Sequence, residues 1–214
     1  MSTYVGSSVK RVEDLALVTG QGRFVDDLSI PGTLHAAFVR CDHAHARVLG
    51  VDVADARAMP GVHAIYTWQD MPVPMRGASV PLLVPRGQIE RLQLPDILVR
   101  DEACFVGEPI AVVLADSRHL AEDAAERVVV NYQPLPVAAD VRHVLDADAP
   151  RAHSEQDSNL AGRLELAFGT LENVFEQAAH VVEGEFFQHR GSAHAMECRA
   201  LLAQYDPMAE NVTI

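Results

Sequence analysis

One run constrains the fold of this chain more than any other: FVGEPIAVVLADSRHLAEDAAERVVVNYQPLP, beginning at Phe105. Residues 110–115 are an uninterrupted apolar stretch of strand length, the pattern of a strand buried on both faces. Asp116 or Ser117 can cap a following helix, because a short side-chain oxygen can accept from a free N–H of the first turn. Leu120, Ala124, Ala125 and Val128 then recur at helical spacing on one face. A second strand over residues 128–132 is closed by Pro134 and Pro136. Strand, helix and strand so close together predict a right-handed crossover on one sheet, and an α/β (α+β) fold class.

The flanking segments add further elements. Pro31-Gly32 predicts a turn, since proline presets its own φ and glycine accepts a positive one. Residues 34–39 and 46–53 read as strands, 53–59 as a short helix ended by Pro60-Gly61, and 62–67 as another strand. From 71 to 96 the chain is punctuated by Pro72, Pro74, Pro81, Pro85 and Pro95. That composition forbids a regular helix or central strand and predicts a long loop or contact arm. Residues 138–163 show no sustained period and read as a surface linker. Beyond it, Thr170 is placed to cap a helix carrying Leu171, Val174, Phe175 and Ala178 inward, before strands at 181–189 and 200–205. The closing Val212-Thr213-Ile214 reads as a strand with an uncovered edge, so the chain is expected to be completed by a partner or to be part of something larger.

Charge and cysteine content narrow the function classes. A net charge of −13 argues against nucleic acid and anionic membrane surfaces, which select basic patches. The longest apolar stretch, at 109–115, is far shorter than the roughly 20 residues a membrane helix needs. Cys41, Cys104 and Cys198 are too few and too widely spaced for a disulfide framework, so a reducing cytoplasm is expected.

The motifs are weighed one by one. In CDHAH, residues Cys41, His43 and His45 alternate, and a strand would send all three to one face. A structural zinc takes four ligands and spacing supplies no fourth, so a polar strand edge is the expected reading and no metal ligand is assigned. Gly20 and Gly22 lie in GQG, a fragment of a phosphate-binding fingerprint without the strand-to-helix context it requires; a tight turn feeding a short strand at Phe24 and Val25 is expected. Gly107 precedes the buried strand where the backbone must turn sharply, and Glu108, held extended before Pro109, is expected to accept from nearby backbone amides. His189, Arg190, His194, Glu197, Cys198 and Arg199 crowd the region after 188. They can line a site, or form a buried ion pair with Glu197 against Arg190 or Arg199.

KRVEDLALVTGQGRFVDDLSIPGTLHAAFVRCDHAHARVLGVDVADARAMPGVHAIYT, then FVGEPIAVVLADSRHLAEDAAERVVVNYQPLPV, then HR…MECRALLAQYD, closely resemble the large subunit of molybdenum hydroxylases, the xanthine dehydrogenase, aldehyde oxidase and carbon monoxide dehydrogenase family. The resemblance covers nearly the whole chain in order. It implies an N-terminal arm at 1–19, an a/b hammerhead domain at 20–138, a linker at 139–169, and the incomplete start of a molybdopterin-binding domain at 170–214. It also implies hydroxylation of an aldehyde or electron-poor ring carbon with water-derived oxygen, on a molybdenum–molybdopterin cofactor. Electrons would leave through [2Fe–2S] clusters to FAD on other subunits or domains. The family's cofactor-contacting segments and catalytic glutamate correspond to no position here, so no catalytic residue is assigned. Where many relatives read MEPRG, this chain has Met196-Glu197-Cys198-Arg199-Ala200. Gly20, Gly22, Gly107, Glu108, Arg190, Glu197 and Arg199 are therefore candidates only for structural support around a site. The competing expectation is a scaffold or interaction module that kept the hammerhead fold without chemistry.

Overall fold

The computed structural model describes residues 4–75, 94–163, 166, 168–169, 173–189, 191–192, 194–195 and 197–214. Most of the proline-rich 71–96 segment, together with Thr170, Leu171 and Arg190, lies outside them. The chain divides into two compact units, Leu34–Thr170 and Met1–Thr33 with Leu171–Ile214.

In the larger unit, β1 (His35–Arg40) and β2 (Ala46–Asp52) are followed by a one-turn helix, then β3 (Val62–Thr67). Next come the short β4 (Glu102–Ala103), β5 (Pro109–Ala115), a helix at Arg118–Ala125, and β6 (Val129–Pro134). The strands form two antiparallel sheets, β1-β5-β3 and β4-β2-β6. The expected crossover on one sheet is therefore corrected: β5 and β6 belong to different sheets. The reason is legible in β6, where Val129, Asn131 and Gln133 are exposed while Val130 and Tyr132 turn inward. That alternation marks a strand covered on one face, which pairs antiparallel as readily as any.

Strand β5 sits between β1 and β3, with Phe38 and Tyr66 both in register with Val112. Its two faces feed different apolar clusters. Ala111 and Val113 pack with Ala56, Ile65, Ala124 and Val128, whereas Ile110 packs with Cys41, Val99 and Ala103. Val39, Val51 and Val130 touch both clusters and join them. Small residues at Ala111 on the strand and Ala124 on the helix, both fully buried, let the helix lie close to the sheet. The Ser117 hydroxyl accepts from the Leu120 N–H at 3.3 Å and caps that helix. The span expected to be a linker is part of this larger unit.

The smaller unit departs further from expectation. Near its start, a helix at Asp14–Val18 ends with Gly20 at φ +70, Gly20 N–H donating to Leu17 O and Gln21 N–H to Ala16 O. Those two bonds make a Schellman motif, so the first glycine of GQG ends a helix. A 3-10 turn occupies Val25–Asp27, where a strand was expected. The second helix is only Val174–Gln177, with Val174 and Phe175 exposed, and residues 181–189 form no strand. A helix that short gains little until its apolar face is buried. The closing element is a hairpin of β7 (Gln204–Asp206) and β8 (Asn211–Thr213), every residue of both strands exposed.

Gly61 and Gly107 both hold φ values that L side chains rarely adopt, +82 and +92. Gly107→Ala is expected to cost about 1–2 kcal/mol through backbone strain, since an added Cβ there meets nothing within 4 Å. Gly61→Ala is expected to cost clearly more, because its Cβ would also lie 2.6 Å from Leu120 Cδ2 and 2.8 Å from Asp116 Oδ2. Urea unfolding followed by the fluorescence of Trp68, the single tryptophan, measures both; equal losses would contradict the packing described.

Candidate functional site

The polar groups with the least access to water gather where β4 meets the start of β2. His45, immediately before β2, is buried, and its two ring nitrogens face two acceptors: Nδ1 lies 2.7 Å from the Pro136 carbonyl and Nε2 lies 2.7 Å from Glu102 Oε1. A carbonyl can only accept, so Nδ1 carries a proton. Burial acts to raise the pKa of Glu102, but hydrogen bonds from His45 and Ser154 outweigh it and hold the carboxyl below its ordinary range. Glu102 is thus a carboxylate, and its Oε1 is the acceptor facing His45 Nε2.

Two residues along, Cys104 Sγ lies 4.0 Å from Glu102 Oε1 and 3.1 Å from His153 Nδ1. Burial, then the negative charges of Glu108 and Glu102, push the Cys104 thiol up to about 12. It is a neutral thiol and no activated nucleophile. The Ser154 N–H donates to Glu102 Oε1 at 2.8 Å, so the 150s segment is tied to β4 by two successive residues. His45, Glu102 and Cys104 together offer one nitrogen, one oxygen and one sulfur ligand atom, all within 4.8 Å of one another.

The sequence candidates divide. Gly107 turns at positive φ, its N–H donating to Cys41 O at 2.7 Å and its carbonyl accepting from Arg40 Nη1 at 2.8 Å. Glu108 is buried, and its Oε2 accepts from the Cys104 N–H at 2.6 Å. Cys41, His43 and His45 do not share a strand face: they lie in the connection between β1 and β2, where Cys41 Sγ instead accepts from the His43 N–H at 3.4 Å. Gly22 packs on Leu17, where a Cβ would come within 2.9 Å of Cδ2. In the smaller unit Glu197 is exposed and accepts from the Val25 N–H at 3.2 Å. Arg199 is exposed too, so of the two alternatives the buried ion pair does not describe Glu197; Arg190 lies outside the described residues. The roles of Glu102, Cys104 and His153 were missed. One signal was available for the first two, their placement on either side of Ala103, since alternate residues of an extended segment point the same way.

Residues 19–136 match the family described as aldehyde oxidase and xanthine dehydrogenase, a/b hammerhead domain. The chain belongs to that family. Residues 152–214 match the molybdopterin cofactor-binding domain. The nicotine 6-hydroxylase large subunit of Paenarthrobacter nicotinovorans is 36% identical over 94% of this chain and 24% of its own length. The carbon monoxide dehydrogenase large chain of Afipia carboxidovorans is 32% identical over 98% of this chain and 27% of its own. The quinoline 2-oxidoreductase of Pseudomonas putida 86 has a TM-score of 0.80 and 37% identity, covering 97% of this chain and 26% of that one. The hammerhead chain therefore spans about a quarter of the length of these relatives.

A cavity of about 420 Å³ in the larger unit is lined by Val137, His143 and Pro150 together with Asp140, Asp146 and Asp148. Three carboxylates in its lining do not suit a phosphorylated pterin there. Glu197 and Arg199 are both exposed.

The pKa values of Glu102 and Glu108 are shifted in opposite directions, which gives a test. Burial raises the Glu108 pKa above 4.5, and hydrogen bonds from the Cys104 and Phe105 backbones do not offset it. A raised folded-state pKa means stability that is full below about 4.5 and is lost as pH rises through the higher folded value. Glu102, with its lowered value, contributes stability that is kept above 4.5 and lost as pH falls. Glu108→Gln keeps a carbonyl oxygen for the Cys104 N–H and removes the charge. Its unfolding free energy, measured in urea from acid to neutral pH, should lose the decline above 4.5 and keep the acid-side loss. An unchanged slope above that pH would contradict the assignment.

Proposed function

We propose that this chain forms part of the molybdopterin-binding large subunit of a xanthine dehydrogenase/aldehyde oxidase-type oxidoreductase. Its substrate class would be aldehydes or N-heterocycles, hydroxylated with oxygen from water. The observation that carries the reading is the likeness to quinoline 2-oxidoreductase over 97% of this chain at a TM-score of 0.80, joined to family matches in hammerhead-then-molybdopterin order. The role of these residues is support: the two sheets and the tied 150s segment form a body against which the cofactor-bearing part of the subunit stands. When bound, the molybdenum cofactor supplies the two-electron chemistry; the residues described here supply no catalytic group.

Its partners would be the remainder of the molybdopterin-binding subunit, an iron–sulfur subunit carrying [2Fe–2S] clusters and a FAD subunit. The cytoplasm is the compartment proposed, in keeping with three free cysteines. No helix among the described residues is long and apolar enough to cross a membrane.

The test is co-purification from the native host followed by metal analysis. Tagged in its chromosomal frame, the protein should come with iron–sulfur and flavin polypeptides, near-stoichiometric molybdenum and hydroxylation of N-heterocycles or aldehydes. The same 214 residues expressed alone should hold no molybdenum and oxidise nothing. Stoichiometric molybdenum on the isolated chain would overturn the assignment of the cofactor to other segments.

A further inference from the structure

We propose that His45, Glu102 and Cys104, with the adjacent His153 as fourth ligand, form a site for a divalent cation of the zinc class. Three donor atoms of the types zinc prefers, an imidazole nitrogen, a carboxylate oxygen and a cysteine sulfur, lie within 4.8 Å of one another there, and a second imidazole nitrogen, His153 Nδ1, lies 3.1 Å from the sulfur. Glu102 Oε1 stands 2.7 Å from His45 Nε2 and 4.0 Å from Cys104 Sγ, which in turn stands 3.1 Å from His153 Nδ1. Tetrahedral zinc, with bonds of about 2.0 Å to N or O and 2.3 Å to S, spaces its ligand atoms roughly 3.3–3.6 Å apart. These three separations lie on either side of that range; His45, Glu102 and Cys104 would hold the ion, with His153 turning from Cys104 toward the same point as the fourth ligand.

One further feature fits a metal site better than an isolated ion pair. It lies behind the ligands. His45 gives its Nδ1–H to the Pro136 carbonyl at 2.7 Å, which fixes the ring and aims Nε2 at the cluster, as outer partners do for metal-binding histidines. The consequence for the fold would be a clasp: His153 belongs to the 150s segment, Glu102 and Cys104 to β4 and its end, and His45 to the start of β2.

Cobalt(II) reports such a site in the 214-residue chain, which carries no other proposed chromophoric metal; the result is therefore independent of the molybdenum assignment. Titration of the metal-free chain, its fold checked by circular dichroism, should give a saturable thiolate-to-cobalt charge-transfer band and tetrahedral d–d bands at one equivalent. Zinc should displace both. Cys104→Ser should abolish the charge-transfer band, and His153→Asn should weaken binding by roughly tenfold or more. Cys198→Ser, at an exposed position, should change neither. No saturable binding, a full charge-transfer band in Cys104→Ser, or a band lost in Cys198→Ser would overturn the proposal. If Cys104→Ser does not fold, His153→Asn decides it, since its side chain is only half-buried: unaltered affinity there would refute the four-ligand site.

Discussion

Strand β5 has neighbours on both edges and apolar clusters against both faces, and the larger unit is arranged around that double burial. On one side Ala111 and Val113 hold the capped helix against the sheet; on the other Ile110 meets Cys41, Val99 and Ala103. Because Val39, Val51 and Val130 belong to both surroundings, the second sheet cannot shift without disturbing the first. At roughly 25 cal/mol per Å² of apolar surface, burial on this scale is the dominant favourable term, and it also sets the positions of the polar groups. The sharp turn at Gly107 enters β5, and the turn brings the Glu108 carboxyl under the Cys104 amide. From there the chain of contacts runs through Cys104 to Glu102, His45 and the 150s segment.

The polar cluster is a consequence of that packing and an exception to it. Glu102 and His45 are paired at 2.7 Å where water has little access, an arrangement that costs desolvation and is weak evidence for stability by itself. Its value lies in fixing which segment lies where. Breaking one partner would leave the other charged and uncompensated, whereas a polar register pin of this kind excludes alternative placements of the 150s segment.

The elements with their own local chemistry were legible in the sequence. β3 has the expected bounds Val62–Thr67, Ser117 caps its helix, and Gly107 and Glu108 turn and accept as their types require. Pairing was not legible, because an apolar run such as 110–115 does not specify its neighbours, and the alternation of β6 is short. The cluster was illegible for a related reason. His45 reaches Glu102 across 57 positions and His153 reaches Cys104 across 49, distances over which spacing rules say nothing. In the smaller unit the pattern was readable but local propensity did not suffice: Val182, Phe186 and Phe187 are exposed, and residues 181–189 form no strand.

The dependence on β5 can be measured by native-state hydrogen exchange with mass spectrometry on the 214-residue chain. The slowest amides should be those of residues 110–115, opening only with global unfolding, while residues 181–189 and the β7–β8 hairpin exchange through local opening with little protection. Greatest protection in the β7–β8 hairpin, or local opening of β5 ahead of the surrounding strands, would contradict the account.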